Sequence, residues 1–294
     1  MEVRAKKALG QHFLCDQAIA RRIVDALLPE EEVEDRRQGV SGGTPPVPLG
    51  AAAKQRGIVV GDRRQPVLEI GPGMGVLTQY LLQRGDIELK AVELDGESVG
   101  YLLTHFPGMQ GRLLQADYLR LDMHRVFQGP YCIIGNFPYN ISSQIFFKIL
   151  DDKDRVPEVV CMIQKEVAER IAEKPGSKTY GIMSVLLQAW YDIEYCFSVG
   201  PGAFAPPPKV QSAVIRLTRN FREKLGCDEK LFKMVVKTAF NQRRKTLRNA
   251  LKPLLQPLAS TPPDEVAQML DLRAERLGVE DFVLLTKFIE EGGE

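Results

Sequence analysis

The sequence predicts an α/β protein, a mainly parallel β-sheet with helices on both faces, followed by a small all-helical domain. Three observations predict it. From residue 66 to about 163, short apolar runs alternate with segments of helical periodicity, the pattern of a parallel sheet joined by crossover helices. One run, VLEIGPGMGVLT from Val67 to Thr78, ends in three glycines that read as a tight turn into a helix. Strand-like runs cease near residue 220, where helical periodicity takes over.

The elements follow in order. A basic tip, Arg4, Lys6 and Lys7, leads through GQHFL into an amphipathic helix near Asp16 to Leu28, with Asp16 as its cap. Residues 30–64 hold a charge run and then a Gly-, Pro- and Ala-rich stretch with little to bury, which predicts a mobile surface insertion. Strands are expected at 66–70, 87–92, 112–115, 131–134 and 157–163, and helices at 75–84, 96–104, 141–150, 164–173 and 181–190. YDIEYCFSV and VQSAVIRLT read as a closing pair of strands. The domains expected are thus 1–220, carrying the insertion, and 221–294.

Composition sets limits on function. The chain has 294 residues, 44% hydrophobic and 26% charged, an ordinary globular balance. No apolar run approaches the roughly 18 residues of a membrane span, and the N-terminus lacks the apolar core of a secretory signal. A cytoplasmic protein with no membrane partner is expected. Five cysteines, an odd number with no C-x-x-C, read as buried free thiols. Three scattered histidines lack ligand spacing, so no metal is expected.

The glycine turn is where a ligand can approach. Gly71, Gly73 and Gly75 lack a Cβ, which lets a ligand lie against peptide groups at a helix N-terminus. Glu93 ends the next strand, 22 residues after Gly71 and close to the offset of about 20 at which a carboxylate meets ribose hydroxyls. Glu69 makes the turn acidic, and the turn itself has no basic residue, so it suits a cationic ligand better than a phosphate. E-x-G-x-G-x-G resembles the first motif of S-adenosyl-L-methionine-dependent methyltransferases.

Further along, Asp117 follows the strand RLLQA, placed to accept from the exocyclic amine of a bound adenine or to cap the following turn. Gly135-Asn136-Phe137-Pro138-Tyr139-Asn140 follows the apolar strand YCII. Asn136 offers a side-chain carbonyl and Phe137 a main-chain carbonyl that Pro138 makes rigid; together they can hold both hydrogens of an amine, with Tyr139 as a stacking face. Net charge is only +1, but the segment Asn220 to Pro253 carries +7 and the remainder to the C-terminus −6. Arg243, Arg244, Lys245 and Arg248 in FNQRRKTLRNALK point to phosphate binding, against the alternative of a solvated helix face.

KKALGQHFL, LEIGPGMG, VELD, QADYL, GNFPYNIS, MIQKEVAER, FAPPPKVQSAV and FNQRRKTLRNAL occur in this order, and the chain resembles the ribosomal RNA adenine N6-dimethyltransferase family in its small-subunit (16S) branch. The resemblance implies a Rossmann-like methyltransferase domain and a helical RNA-contacting domain. It implies transfer of two methyls from S-adenosyl-L-methionine to each of two adjacent adenines in the 3′-terminal hairpin of small-subunit ribosomal RNA, late in assembly. It places His12, Leu14, Gly71, Gly73, Glu93, Asp117 and Asn136 around the cofactor, and Phe204 opposite Tyr139 as the second face for a flipped base. His12 stands where many relatives have Asn, and the long insertion departs from the family's short link. The partner expected is the assembling small subunit, met by a monomer. An assembly factor whose binding matters more than methylation, and a large-subunit methylase, share these motifs.

Overall fold

The computed structural model describes Lys6 and residues 11–27, 64–256 and 261–292. The insertion, Arg4, Lys7 and the expected helix end at Leu28 lie outside the described residues, apart from Arg64. The chain forms two compact units, one holding residues up to Ala168 together with Glu194–Phe221, the other Glu169–Ile193 and Arg222 onward.

The first unit opens with a two-residue strand, β1 (Phe13–Leu14), and helix α1 (Gln17–Asp25). Asp16 caps α1 as expected, its carboxylate accepting from the N–H groups of Ala18 at 2.9 Å and Ile19 at 3.0 Å. Ala20, Ile23 and Val24 form its buried stripe. There follow β2 (Gln65–Ile70), α2 (Thr78–Leu81), β3 (Ile87–Glu93), α3 (Gly96–His105), β4 (Leu113–Gln115), β5 (Cys132–Asn136), α4 (Ser142–Asp151) and β6 (Glu158–Gln164). Helix α2 is a single turn where a ten-residue helix was expected. The glycine turn accounts for this: Gly71, Gly73 and Gly75 all have positive φ, which no right-handed helix accommodates. At Gly75 a side chain is also excluded by space, since a Cβ would fall 2.4 Å from the Phe106 ring.

Helices α5 (Lys165–Ala172) and α6 (Ile182–Gln188) precede β7 (Tyr191–Val199), β8 (Phe204–Ala205) and β9 (Ser212–Arg219). The main sheet runs β4-β3-β2-β5-β6-β9-β7. Its first five strands pair in parallel, and β9 lies antiparallel to β6, so the closing strands sit where the sequence put them. Strand order reverses between β2 and β5, the kind of crevice at which open α/β sheets bind ligands. Gly135 lies at that crevice, and a Cβ there would meet the Ile70 carbonyl oxygen at 2.5 Å. Val67, Leu89, Ala91, Ile134, Val160 and Val214 from the sheet pack with Ile23 of α1 in the core.

The sequence does not announce a second, two-stranded ribbon in which β1 pairs antiparallel with β8, Leu14 opposite Phe204. Two cysteines, Cys132 and Cys161, are buried as expected; Cys196 and Cys227 are half-buried and Cys15 is exposed, because it sits just past the ribbon and not in a sheet strand.

The second unit contains α7 (Glu229–Asn241), α8 (Leu247–Ala250), α9 (Lys252–Leu255), α10 (Asp264–Leu270) and α11 (Val279–Gly292). A cut near 220 leaves out one piece of it: Glu169–Ile193, with α6, clusters with these helices. Aromatic packing explains the grouping, for Tyr180 just before α6 lies 6.2 Å from the ring of Phe240 in α7, which lies 6.0 Å from Phe282 in α11. Among the described residues no helix is long and apolar enough to cross a membrane.

Candidate active site

A cavity of about 230 Å³ opens at the carboxyl ends of β2, β3 and β5, in the first unit. Most of the residues singled out in the sequence line it: His12, Leu14, Gly71, Gly73, Glu93, Asp117, Asn136, Phe137, Pro138 and Tyr139, with Glu69. Phe204 does not. Its ring is buried in the core with Leu14, Val199 and Val214. The β1–β8 pairing directs it inward, opposite Leu14.

The glycine turn is braced by acids. Glu93 Oε2 accepts from the Gly73 N–H at 3.0 Å and its Oε1 from the Asp95 N–H at 2.9 Å. Burial raises the Glu93 carboxyl above its ordinary range, and these backbone bonds oppose the rise. Glu69 is 1% exposed and accepts from the Thr78 hydroxyl at 2.7 Å. Burial pushes its carboxyl up to about 8, and the charge of Glu93 adds to the effect. Unfolded, Glu69 gives up its proton near 4.5; folded and without ligand it keeps the proton until about pH 8. The ligand-free protein therefore loses stability as pH rises across that window. Glu69→Gln, which keeps an acceptor for Thr78, should remove much of that loss, as urea midpoints at pH 5 and pH 8 will show. An unchanged pH dependence would contradict a buried, protonated Glu69.

Asp117 caps its turn and faces the cavity. Its Oδ1 caps the turn by accepting from the Leu119 N–H at 2.9 Å, and its side chain remains on the cavity wall. Asn136 is the last residue of β5, two residues beyond the strand end expected at 134. Its Nδ2 donates to the His12 carbonyl at 3.0 Å, which commits the amide's orientation and leaves Oδ1 as an acceptor. The Phe137 ring is buried against Phe146, so only its main chain is available to a ligand. Tyr139 bonds through its hydroxyl to Ser212, and its ring stacks on His12 at 5.5 Å. His12 is tied in turn to the Pro206 carbonyl at 2.9 Å. The His12–Tyr139 stack carried no sequence signal, because the two residues are far apart in the chain.

The lining, among the described residues, contains the acids Glu93 and Asp117 beside the protonated Glu69, and no Lys or Arg. Such a wall repels phosphate and favours a ligand bearing positive charge. Apolar side chains such as Ile70, Val76 and Leu77 complete it.

A family model described as ribosomal RNA adenine dimethylase matches residues 2–291. The chain belongs to the ribosomal RNA adenine dimethylase family. It is 55% identical to "Ribosomal RNA small subunit methyltransferase A" of Parabacteroides distasonis over 97% of this chain and 93% of that one. To the protein of the same description in Porphyromonas gingivalis it is 48% identical, over 99% of this chain and all of the other. In fold it is similar to a dimethyladenosine transferase from Plasmodium falciparum, with a TM-score of 0.70 and 21% identity over 96% and 98% of the two chains. Members of this dimethylase family are S-adenosyl-L-methionine-dependent methyltransferases, and the lining fits that cofactor, whose amino and sulfonium groups are cationic.

In the second unit the basic block is only partly free. Arg243 donates to the Lys178 carbonyl and lies 3.7 Å from Glu275, and Arg248 pairs with Asp271 at 2.9 Å. Arg244 and Lys245 are exposed and make no ion pair among the described residues. The fold supplies acids to two of its members from elsewhere in the unit.

Proposed function

We propose that this protein dimethylates the N6 amines of two adjacent adenines in the 3′-terminal hairpin of small-subunit ribosomal RNA. It does so in the cytoplasm, as a monomer, late in assembly of the subunit. The observation that carries this reading is the committed orientation of Asn136: with its N–H spent on His12, its oxygen is held out as an acceptor for an amine. Bound S-adenosyl-L-methionine supplies an electrophilic methyl on a sulfonium.

The chain's own residues do the rest. Glu93 takes the cofactor ribose hydroxyls while keeping the turn closed through Gly73. Asp117 accepts from the cofactor's adenine amine with the oxygen that does not cap its turn. Asn136 Oδ1 and the Phe137 carbonyl accept the two hydrogens of the target amine, which turns its lone pair out of the ring plane and towards the methyl. The base stacks on Tyr139, fixed by Ser212 and His12. No side chain is needed as a dedicated base, since the product's proton can leave to water once its charge is held near aromatic faces.

The second unit holds the RNA backbone. Exposed ion pairs contribute little, so Arg248 can exchange Asp271 for a phosphate, and Arg244 and Lys245 are free to join it. Binding tests this against the large-subunit alternative. Wild type should prefer unmethylated small subunits to large subunits, and Arg244→Ala with Lys245→Ala should flatten the salt dependence by about 0.7 to 0.9 log units per lost phosphate contact. Cofactor affinity should not change. Equal binding to large subunits, or an unaltered slope, would return the block to a solvated face.

A further inference from the structure

Helix α4 does more than follow the amine-clamp loop. Its Lys148 Nζ donates to two carbonyls of the neighbouring loop, Tyr118 O and Leu121 O, each at 2.5 Å, and lies 4.9 Å from the Tyr118 ring centroid. That loop is the one-turn 3₁₀ segment Tyr118–Arg120 whose cap is Asp117, and Asp117, Tyr118 and Leu119 all line the cavity. A turn this short satisfies few of its own carbonyls, and a cation at its C-terminal end both satisfies and attracts them. The same helix carries Ile145 on the cavity wall and begins directly after Asn136 to Ile141. One rigid element therefore touches both walls of the site.

We infer that Lys148 is a positioning residue: its two bonds fix the Asp117–Leu121 turn so that Asp117 meets the adenine of the bound cofactor, in register with the clamp at Asn136. The inference rests on the reading of Asp117 given above. The surroundings suit the role. Burial works to discharge the ammonium, and Asp117, Asp152 and Asp122 around it hold the charge in place. Tyr118 packs beneath it, 6% exposed, so the turn has a fixed floor as well as a fixed end. The lysine also has no need to touch the cofactor, for among the described residues its ammonium bonds to main-chain oxygens of the turn.

Calorimetry with S-adenosylhomocysteine and its inosine counterpart, which lacks the exocyclic amine, tests this without turnover. Wild type should discriminate between the two. Lys148→Met should weaken S-adenosylhomocysteine binding about tenfold and lose most of that discrimination, the effect of releasing a charge-assisted pair of bonds. Lys148→Arg, which can still reach two carbonyls, should restore discrimination in part and guards against a variant that merely folds poorly. In an Asp117→Ala background, Lys148→Met should add less than about twofold, because residues acting through one contact are not additive. A weakened Asp117→Ala beside a folded Lys148→Met of wild-type affinity and discrimination would overturn the inference. Wild-type affinity in Asp117→Ala would instead overturn the reading of Asp117 itself.

Discussion

Phe204→Ala should melt far below the wild type, by the equivalent of about 3–5 kcal/mol, the usual cost of emptying a buried phenylalanine site. The ring is 4% exposed and packs with Leu14, Ala20, Val199 and Val214, joining the β1–β8 ribbon to the main sheet. The family resemblance assigned the same residue to stacking on a flipped adenine, and that role predicts the opposite pattern, a near-normal melting temperature with impaired methylation. Thermal unfolding separates them. A Phe204→Ala protein that melts like the wild type yet fails to methylate would restore the stacking role and contradict the packing described here. Phe204→Leu, which refills most of the volume, should recover most of the stability.

The second large effect is at Asn136. Asn136→Ala removes the acceptor for the target amine and the donor to His12, and should lower methyl transfer by about 10² to 10³-fold or more, the range seen when one preorganised polar contact to a reacting group is lost. Small-subunit binding through the basic block should persist. Asn136→Asp keeps an acceptor and loses the donor, so it separates the two contributions: activity above that of the alanine variant assigns the larger part to the acceptor. An alanine variant with wild-type turnover would remove Asn136 from the chemistry.

How much of this the sequence disclosed depends on the kind of signal each residue carries. The parallel strands were legible because buried apolar runs alternate with helical periods, and the cavity followed from them, since Asn136 ends β5 at the point where strand order reverses and Glu93 ends β3, the next strand beyond β2. Asp16 was legible as a cap because its chemistry is local. The β1–β8 ribbon was not: two-residue strands have no period, and the register pairs Leu14 with Phe204 across most of the chain. The burial of the Phe204 ring against Leu14 was hidden for the same reason. The segment with α6 reads as part of the sheet domain because its position in the chain is all the sequence offers; its partner Phe240 lies far downstream. Lys148 on an amphipathic helix looks like a solvated residue until the turn at Tyr118 is brought against it.

In the proposed reaction, one acidic, cation-binding cavity and one amide-plus-carbonyl clamp act together on adenine in small-subunit RNA. The direct measurement is to incubate the protein with methyl-labelled S-adenosyl-L-methionine and unmethylated small subunits, digest the RNA to nucleosides and identify the labelled species. N6,N6-dimethyladenosine at two adjacent positions near the 3′ end is the predicted result; label on another nucleoside, or label only when large subunits are supplied, would contradict the account.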